Sequence, residues 1–377
     1  MDSDRLCFVV NDLEFFLSHR IDLAKKLSYS YQIHLICNSK NASTADLKTV
    51  QENKFLIHDL SPRNKSKLIY GYIQYLVNLK RLLCEINADY ILFITLELSF
   101  IGAIIHQFIE TKKSLFLITG LGPFFNNKRI KYKIIKLLQK IAFIALKNKK
   151  NFLFIFQNPD DLKLFVTQNY IKKSQALLIK GNGINMKYFS FLERKFEKKL
   201  TFLFASRLVQ SKGIIEFIEA SKIILAKYPS TKFLIAGKFD DSDPESINYR
   251  KLEVAILDNS ISYLGNLSQA KLKEYFYKSS VFIMPSYGEG LPKVALEAAS
   301  TGMPIIATNV NGCRECVIPG HNGFLVEAMD AKGLAKAMES LIVNTLNLSQ
   351  YSRNSYQMVK NEYSLELITK EYLNALN

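Results

Sequence analysis

No apolar run in this sequence is long enough to span a bilayer. The nearest approach, Leu98–Ile109, is short and contains His106 and Gln107. A basic-then-apolar leader is missing too: the N-terminus carries Asp2 and Asp4, unlike a signal peptide. Cysteine is scarce, and the five present (Cys7, Cys37, Cys84, Cys313, Cys316) are odd in number and scattered, unlike a secreted disulfide framework. Cys313-Arg-Glu-Cys316 has the Cys-x-x-Cys spacing, but zinc would need a second ligand pair and no other Cys or His cluster exists. Redox chemistry would want a thioredoxin-like context, so the pair reads as part of an ordinary loop. There is no internal repeat and no low-complexity tract. Acidic residues are in deficit, 34 Asp+Glu against 50 Lys+Arg, a net charge of +16. That excess suits an anionic partner: nucleic acid, a lipid surface or a phosphorylated substrate. The expected place is the cytosol or a membrane surface.

What is present is an alternation. Short apolar runs at Leu6–Val10, Gln32–Cys37, Phe55–Asp59, Tyr90–Thr95, Ser114–Thr119, Phe152–Gln157 and Ala176–Lys180 read as one series of strands. Thr201–Ser206, Lys232–Gly237, Ile261–Gly265, Ser280–Pro285, Pro304–Thr308 and Gly323–Val326 read as a second. Helical periodicity, as in Gly213–Tyr228 and Lys271–Tyr277, separates them. This predicts an α/β chain with two doubly wound parallel sheets, and 377 residues with 48% hydrophobic composition suffice for two cores. Lys187–Lys199, polar and charged, reads as the linker. Ligands of such sheets bind beyond the carboxyl ends of the strands, so a shared site is expected in a cleft between the domains.

The chemistry concentrates in Pro285-Ser-Tyr-Gly-Glu289-Gly-Leu-Pro-Lys-Val-Ala-Leu-Glu297-Ala-Ala-Ser-Thr-Gly302-Met-Pro304. Val281–Met284 reads as a buried strand, Pro292 suits the first helical position, and Gly302 with Pro304 ends the helix. The N–H groups of Gly290 and Leu291 would then face outward at a helix N-terminus, an anion site. A carboxylate beside a phosphate cradle repels phosphate unless it holds something else, such as hydroxyl groups. Glu289 and Glu297 flanking an anion site therefore describe a nucleotide sugar: diphosphate in the middle, ribose on one side, hexose on the other.

These residues, Pro-Ser-x-x-Glu-Gly-Leu-Pro followed by Glu-Ala-x-x-x-Gly-x-Pro, closely resemble the signature of family 4 retaining glycosyltransferases. The resemblance implies a GT-B fold, two facing Rossmann-like domains with an inter-domain cleft. It divides the chain into an acceptor-binding domain over 1–190, a nucleotide-sugar-binding domain over 191–360, and a C-terminal helix over 361–377 crossing back to the first. It gives Glu289 the donor sugar, as the catalytic glutamate, and Glu297 the ribose. Thr201-Phe-Leu-Phe-Ala-Ser206-Arg207-Leu208 leading to Lys212-Gly213 is similar to the family's diphosphate-binding motif, so Arg207 and Lys212 would neutralise the leaving diphosphate. Lys180-Gly-Asn-Gly183-Ile184-Asn185 with Phe189 resembles the segment closing the first domain. The absence of tryptophan leaves any stacking on the sugar to Tyr or Phe.

Three features are read with their alternatives. Gly120-Leu121-Gly122 follows a strand and would point into the cleft, where many relatives carry a histidine; it is no dinucleotide fingerprint, because Phe125 replaces the third glycine. The same glycine-rich variant occurs in relatives acting on polyprenyl-diphosphate-linked glycans. His19-Arg20, after the first strand, either hold an acceptor phosphate or sit in a turn buried by Phe15, Phe16 and Leu17, with Arg20 in a salt bridge. The glycine pair many relatives use here is replaced by Asn11-Asp12. Asp241-Ser-Asp243 has the spacing of metal-dependent transferases of another fold, but here it reads as a solvated loop, and no metal or cofactor is expected.

Lys128–Lys150 carries nine basic residues and no acidic one, with Ile130, Ile134, Ile135, Leu138, Ile141, Ala142 and Ala145 near helical spacing. Pro62–Leu83 is similar. Each is either a core-facing helix with a basic outer face or a basic amphipathic helix on an anionic membrane. A lipid-linked acceptor gives both a common reason, and places the chain in the cytoplasm, peripheral on the inner face of the cytoplasmic membrane. The expected activity is metal-independent, retaining transfer of a hexose or N-acetylhexosamine from a UDP-sugar to a polyprenyl-diphosphate-linked saccharide in surface polysaccharide assembly. The alternatives are a nucleotide-sugar 2-epimerase on the same scaffold, with His19 and His106 as its thin acid/base candidates, or a noncatalytic nucleotide-sugar- or RNA-binding protein. No aromatic-basic RNA motif is visible, so no nucleic-acid partner is expected.

Overall fold

The computed structural model describes residues 3–60, 68–121, 130–146, 149–197 and 199–377. Its first sheet has the order β3-β2-β1-β4-β5-β6-β7. The strands are β1 (Arg5–Asp12), β2 (Gln32–Asn38), β3 (Leu56–Asp59), β4 (Tyr90–Ile94), β5 (Lys113–Ile118), β6 (Phe152–Phe156) and β7 (Ala176–Leu178). The second sheet has the order β10-β9-β8-β11-β12-β13. It consists of β8 (Thr201–Ala205), β9 (Lys232–Ala236), β10 (Ser262–Tyr263), β11 (Val281–Met284), β12 (Ile305–Thr308) and β13 (Gly323–Val326). The strand pairs are parallel throughout, for instance β1 with β4 and β8 with β11. Both sheets are doubly wound, as the alternation of apolar runs and helical periodicity predicts.

The apolar runs are continuous because both faces of each sheet are covered. Successive side chains alternate sides. In β1, Cys7 and Val9 enter one core with Phe93 and Phe116, while Leu6, Phe8 and Val10 enter another with Leu92 and Leu115. In the second sheet Phe202, Phe204 and Ile283 face one layer, and Leu203, Phe282 and Met284 the other. Asp12, standing where a glycine would turn the chain, caps helix Leu13–His19 by accepting the Phe15 N–H at 2.7 Å.

Two compact units result: the chain up to Gly183 with Leu365–Asn377, and Ile184–Ser364. The first boundary falls earlier than the expected 190/191, because Ile184 and Phe189 are buried in the second unit with Phe282, Met303 and Tyr363. The last falls after the expected 360/361, since helix Leu346–Glu362 stays with the second unit. Helix Leu365–Leu376 inserts Ile368, Tyr372, Ala375 and Leu376 into the first unit's core. Nor is Lys187–Lys199 uniformly a polar linker. Arg194 is mostly buried and donates to the carbonyls of Ser279 and Phe276 and to Thr301 Oγ1, which ties this segment to the second unit. The Cys313 and Cys316 thiols are free and buried, and burial pushes Cys313 up to about 12, as suits inert packing residues.

One polar pair in the first sheet makes stability pH-dependent. His34 on β2 and His58 on β3 stack, and Nδ1 of His34 lies 3.0 Å from Nε2 of His58. One ring donates and the other accepts, so the contact requires a neutral partner. Burial, and then the nearby His58 charge, bring His34 from its ordinary 6.5 down to about 4. The unfolded chain therefore binds more protons than the folded one between those values. The contribution is present above pH 6.5 and is lost as pH falls toward 4, at most roughly 3 kcal/mol. Urea midpoints measured across this range should fall more steeply for the wild type than for His34→Gln; parallel curves would remove the pair as a source of acid sensitivity.

Candidate active site

The carboxyl ends of β8 and β11 are neighbours, and the strand order reverses between them, which in open α/β sheets marks the binding crevice. After β8 the chain passes Arg207, makes a short turn over Gln210–Lys212, and enters helix Ile214–Lys227 through Gly213. After β11 it runs through Pro285–Leu291 into helix Lys293–Ser300. The two connections are fastened together. Tyr287 N–H donates to the Ser211 carbonyl at 2.9 Å, and Tyr287 Oη donates to Glu216 Oε1 at 2.6 Å. Gly213 has φ +72°, and a Cβ there would lie 2.0 Å from the Pro285 carbonyl oxygen. Only a residue without a side chain lets the turn approach this closely.

This fastening brings Lys212 and Glu289, 77 residues apart, into an ion pair: Nζ donates to Oε1 at 2.6 Å. Both side chains are mostly buried, at 16% and 19% exposure. The pair is backed from behind by the loop after β12. Glu289 N–H donates to the Asn311 carbonyl at 3.1 Å. Gly312, at φ +76°, lies so close that a Cβ would fall 2.3 Å from the Glu289 carbonyl oxygen. The glycine at 312 thus has a structural reason beside the cysteines that follow it.

Glu297 lies within helix Lys293–Ser300 and is 5% exposed. Its Oε1 accepts from Gln269 Nε2 at 3.0 Å, and Lys293 Nζ lies 3.4 Å from the same oxygen. Gly290 and Leu291 directly precede this helix. Pro292 is its N-cap rather than its first residue, one position earlier in the helix than expected. Arg207 is more exposed, at 64%, and donates to Asp243 Oδ2 at 2.9 Å. Asp243 is therefore not simply solvated as its loop position suggested; it holds the cation of the β8 turn. Each of the cations Lys212, Lys293 and Arg207 faces a carboxylate, so the site can exchange internal ion pairs for an anionic ligand while its carboxylates take hydroxyl groups.

The candidates of the first unit fare differently. Arg20 is 1% exposed, and its Nε and Nη1 have no hydrogen-bond partner. Burial lowers its pKa, while the facing Tyr372 phenol opposes the shift. Among the described residues no carboxylate pairs with it. Of the two readings the buried turn holds in part: Phe16 and Arg20 are buried and helix Leu365–Leu376 closes over Arg20 with Tyr372, but the expected salt bridge is not found among the described residues. His19 is at the surface, stacked on Phe15 at 4.7 Å with Nδ1 2.7 Å from Ser18 Oγ. Gly120 follows β5 at φ +143°, Leu121 packs against the core, and Gly122 lies outside the described residues. His106 is buried against Ser114 Oγ at 3.0 Å, and burial lowers its pKa. It is a core residue, not an acid/base group for an epimerase.

Sequence reasoning missed Glu216, Gln269, Lys293 and the role of Tyr287. Only Lys293–Glu297 carried a local signal, the i,i+4 spacing on one helix. Tyr287→Phe should leave Glu216, whose Oε2 is already unpartnered and buried, without its donor. The expected cost is about 1–3 kcal/mol in urea unfolding, with weakened nucleotide binding as the Lys212 turn loosens. Glu216→Gln keeps an acceptor and should lose much less; equal losses would mean that packing, not the hydrogen bond, fastens the loop.

Residues 187–358 match the family model described as glycosyl transferases group 1. The chain is 29% identical over 264 residues to the capsular polysaccharide biosynthesis glycosyltransferase CapM of Staphylococcus aureus, covering 65% of each chain. It is 22% identical over 308 residues, 78% of each, to the N,N'-diacetylbacillosaminyl-diphospho-undecaprenol alpha-1,3-N-acetylgalactosaminyltransferase of Campylobacter jejuni. Among solved structures, HepE of Anabaena in complex with UDP and glucose superposes with a TM-score of 0.75 at 16% identity, covering 99% of each chain. A glycosyltransferase from Rickettsia africae gives a TM-score of 0.79 at 18% identity, covering 100% of this chain and 98% of that one. The stretch 187–358, which holds Arg207, Lys212, Glu289 and Glu297, is thus similar to the glycosyl transferases group 1 domain, in a chain of GT-B fold.

Proposed function

We propose that this protein is a retaining, metal-independent glycosyltransferase of family 4 that moves a hexose or N-acetylhexosamine from a UDP-sugar to a polyprenyl-diphosphate-linked saccharide. The observation that carries the reading is the Lys212–Glu289 pair, held by Gly213 and Gly312 at the β8/β11 switch point. A diphosphate at this point would take Lys212 and Arg207 from their carboxylates and leave Glu289 to hold a sugar hydroxyl. Glu297, fixed by Gln269, would anchor the ribose. The peptide groups of Gly290 and Leu291 and the two cations stabilise charge on the departing phosphate. The bond from the anomeric carbon to the phosphate oxygen breaks, and the acceptor oxygen bonds to that carbon on the same face. The departing phosphate takes the acceptor's proton, so no separate base is required. The names of the two relatives, one a capsule enzyme and one acting on an undecaprenol-linked substrate, support the choice of acceptor. Such an acceptor lies at the cytoplasmic membrane, where we place the chain peripherally. No observation favours the epimerase, scaffold or RNA-binding alternatives.

The test is UDP release from a panel of UDP-sugars with a polyprenyl-diphosphate-saccharide, in the presence of a metal chelator. Release that requires the acceptor, with the anomeric configuration kept in the product, is expected. Failure of UDP, GDP and ADP alike to bind would overturn the reading.

A further inference from the structure

We infer that the outward faces of helices Leu68–Ile86 and Ile130–Ala145 form one docking surface for an anionic lipid bilayer, in which aliphatic side chains enter the acyl boundary and lysines hold the headgroups. This deepens the peripheral placement above and rests on it. Periodicity had left open which way the apolar stripe of the second helix points. Its core side consists of Gln139, Phe143 and Leu146, each buried. On a helix these share one face, and Leu137, Ile141 and Ile144 share the opposite one. Leu137, Leu138 and Ile141 are 58%, 50% and 56% exposed, so the stripe faces away from the core. A helix that only covered a sheet would put polar groups there. Lys133 and Lys140 border this face at the same i,i+4,i+7 spacing, and no acidic residue occurs between Lys128 and Lys150.

The first helix repeats the pattern. Tyr75, Leu79 and Leu83 fill the same core layer as Phe143 and Leu146, so both helices lie on one side of the sheet. Ile73 and Val77 stand outward, and one turn further along the same face is Lys80. Its Nζ lies 5.5 Å over the ring of exposed Phe108. Although Glu85 on the first helix pairs with Arg81 at 3.5 Å, exposed aliphatic groups bordered by Lys80, Lys133 and Lys140 fit an anionic bilayer, whose interior takes the former and whose surface takes the latter. A second copy of this chain would bring the same lysines against one another.

The test is flotation with vesicles of phosphatidylcholine alone or mixed with phosphatidylglycerol, with UDP affinity measured in parallel. The full chain should bind the anionic vesicles and detach with salt. Leu138→Asp/Ile141→Asp should lower binding by roughly tenfold or more at any salt concentration. Lys133→Ala/Lys140→Ala should remove mainly the salt-sensitive part, again about tenfold. Both variants should keep wild-type UDP affinity, which shows that they fold. Vesicle binding by the wild type that neither variant weakens, or no binding to anionic vesicles at low salt, overturns the inference. So does a wild-type dimer that the aspartate variant dissolves, since the face is then covered by a second copy. Loss of UDP binding in the wild type would instead strike the donor reading and leave the vesicle result standing.

Discussion

Glu289→Gln should abolish most turnover, by two orders of magnitude or more, while UDP binds as well as or better than to the wild type. The carboxylate stands 2.6 Å from Lys212 and so competes with a diphosphate for that cation. Neutralising it releases Lys212 and removes the repulsion of a negative charge beside the phosphates, so nucleotide affinity should hold or rise. The amide keeps the shape and can still hydrogen-bond, but it cannot stabilise positive character at the anomeric carbon. A loss confined to kcat is the mark of an interaction made in the transition state, on the order of 3 kcal/mol for a hundredfold effect. Calorimetric titration with UDP and acceptor-dependent UDP release decide the matter. If affinity and turnover fell together, Glu289 would be only the clamp that positions Lys212.

Gly213→Ala should damage stability and nucleotide binding together. The residue sits at φ +72°, where a side chain costs about 1–2 kcal/mol. Its Cβ would also fall 2.0 Å from the Pro285 carbonyl oxygen, which is backbone and cannot rotate away. Relief requires the β8 and β11 connections to separate, and that motion carries Lys212 away from Glu289. We expect a loss of roughly 3 kcal/mol or more in urea unfolding, with UDP affinity falling at least tenfold. Gly288→Ala is the matched control: a Cβ at position 288 meets nothing within 4 Å, so it should change neither quantity much. Equal behaviour of the two variants would mean that the close approach at Gly213 is dispensable.

Much of the fold was legible because the signals are local. The central strands of both sheets were foreshadowed by short apolar runs, since a strand buried on both faces must be apolar along its length, whereas the edge strands β3, β7 and β10 are only partly buried. The Glu289/Glu297 spacing and the Lys212-Gly213 turn were legible for a related reason: a tight turn or helix start restricts which residues can stand at fixed offsets. The boundary near residue 190 was misplaced because polar composition says nothing of Arg194, whose two terminal guanidinium nitrogens donate to Phe276, Ser279 and Thr301, far along the chain. The sequence could not reveal that Arg20 is sealed beneath Tyr372, a residue on the last helix.

The sequence by itself determined which segments become strands and helices, that they alternate as two parallel sheets, and which carboxylates and cations border the second sheet's crevice. Tertiary structure alone decided which side chains those charges meet: Lys212 meets Glu289, Arg207 meets Asp243, and Glu297 accepts from the neutral amide of Gln269. It also decided that helix Ile130–Ala145 turns Phe143 inward and Ile141 outward, although both are apolar. The physical reason is the range of the forces concerned. Backbone propensity and apolar periodicity act over a few residues, whereas burial and ion pairing depend on which distant surface packs opposite.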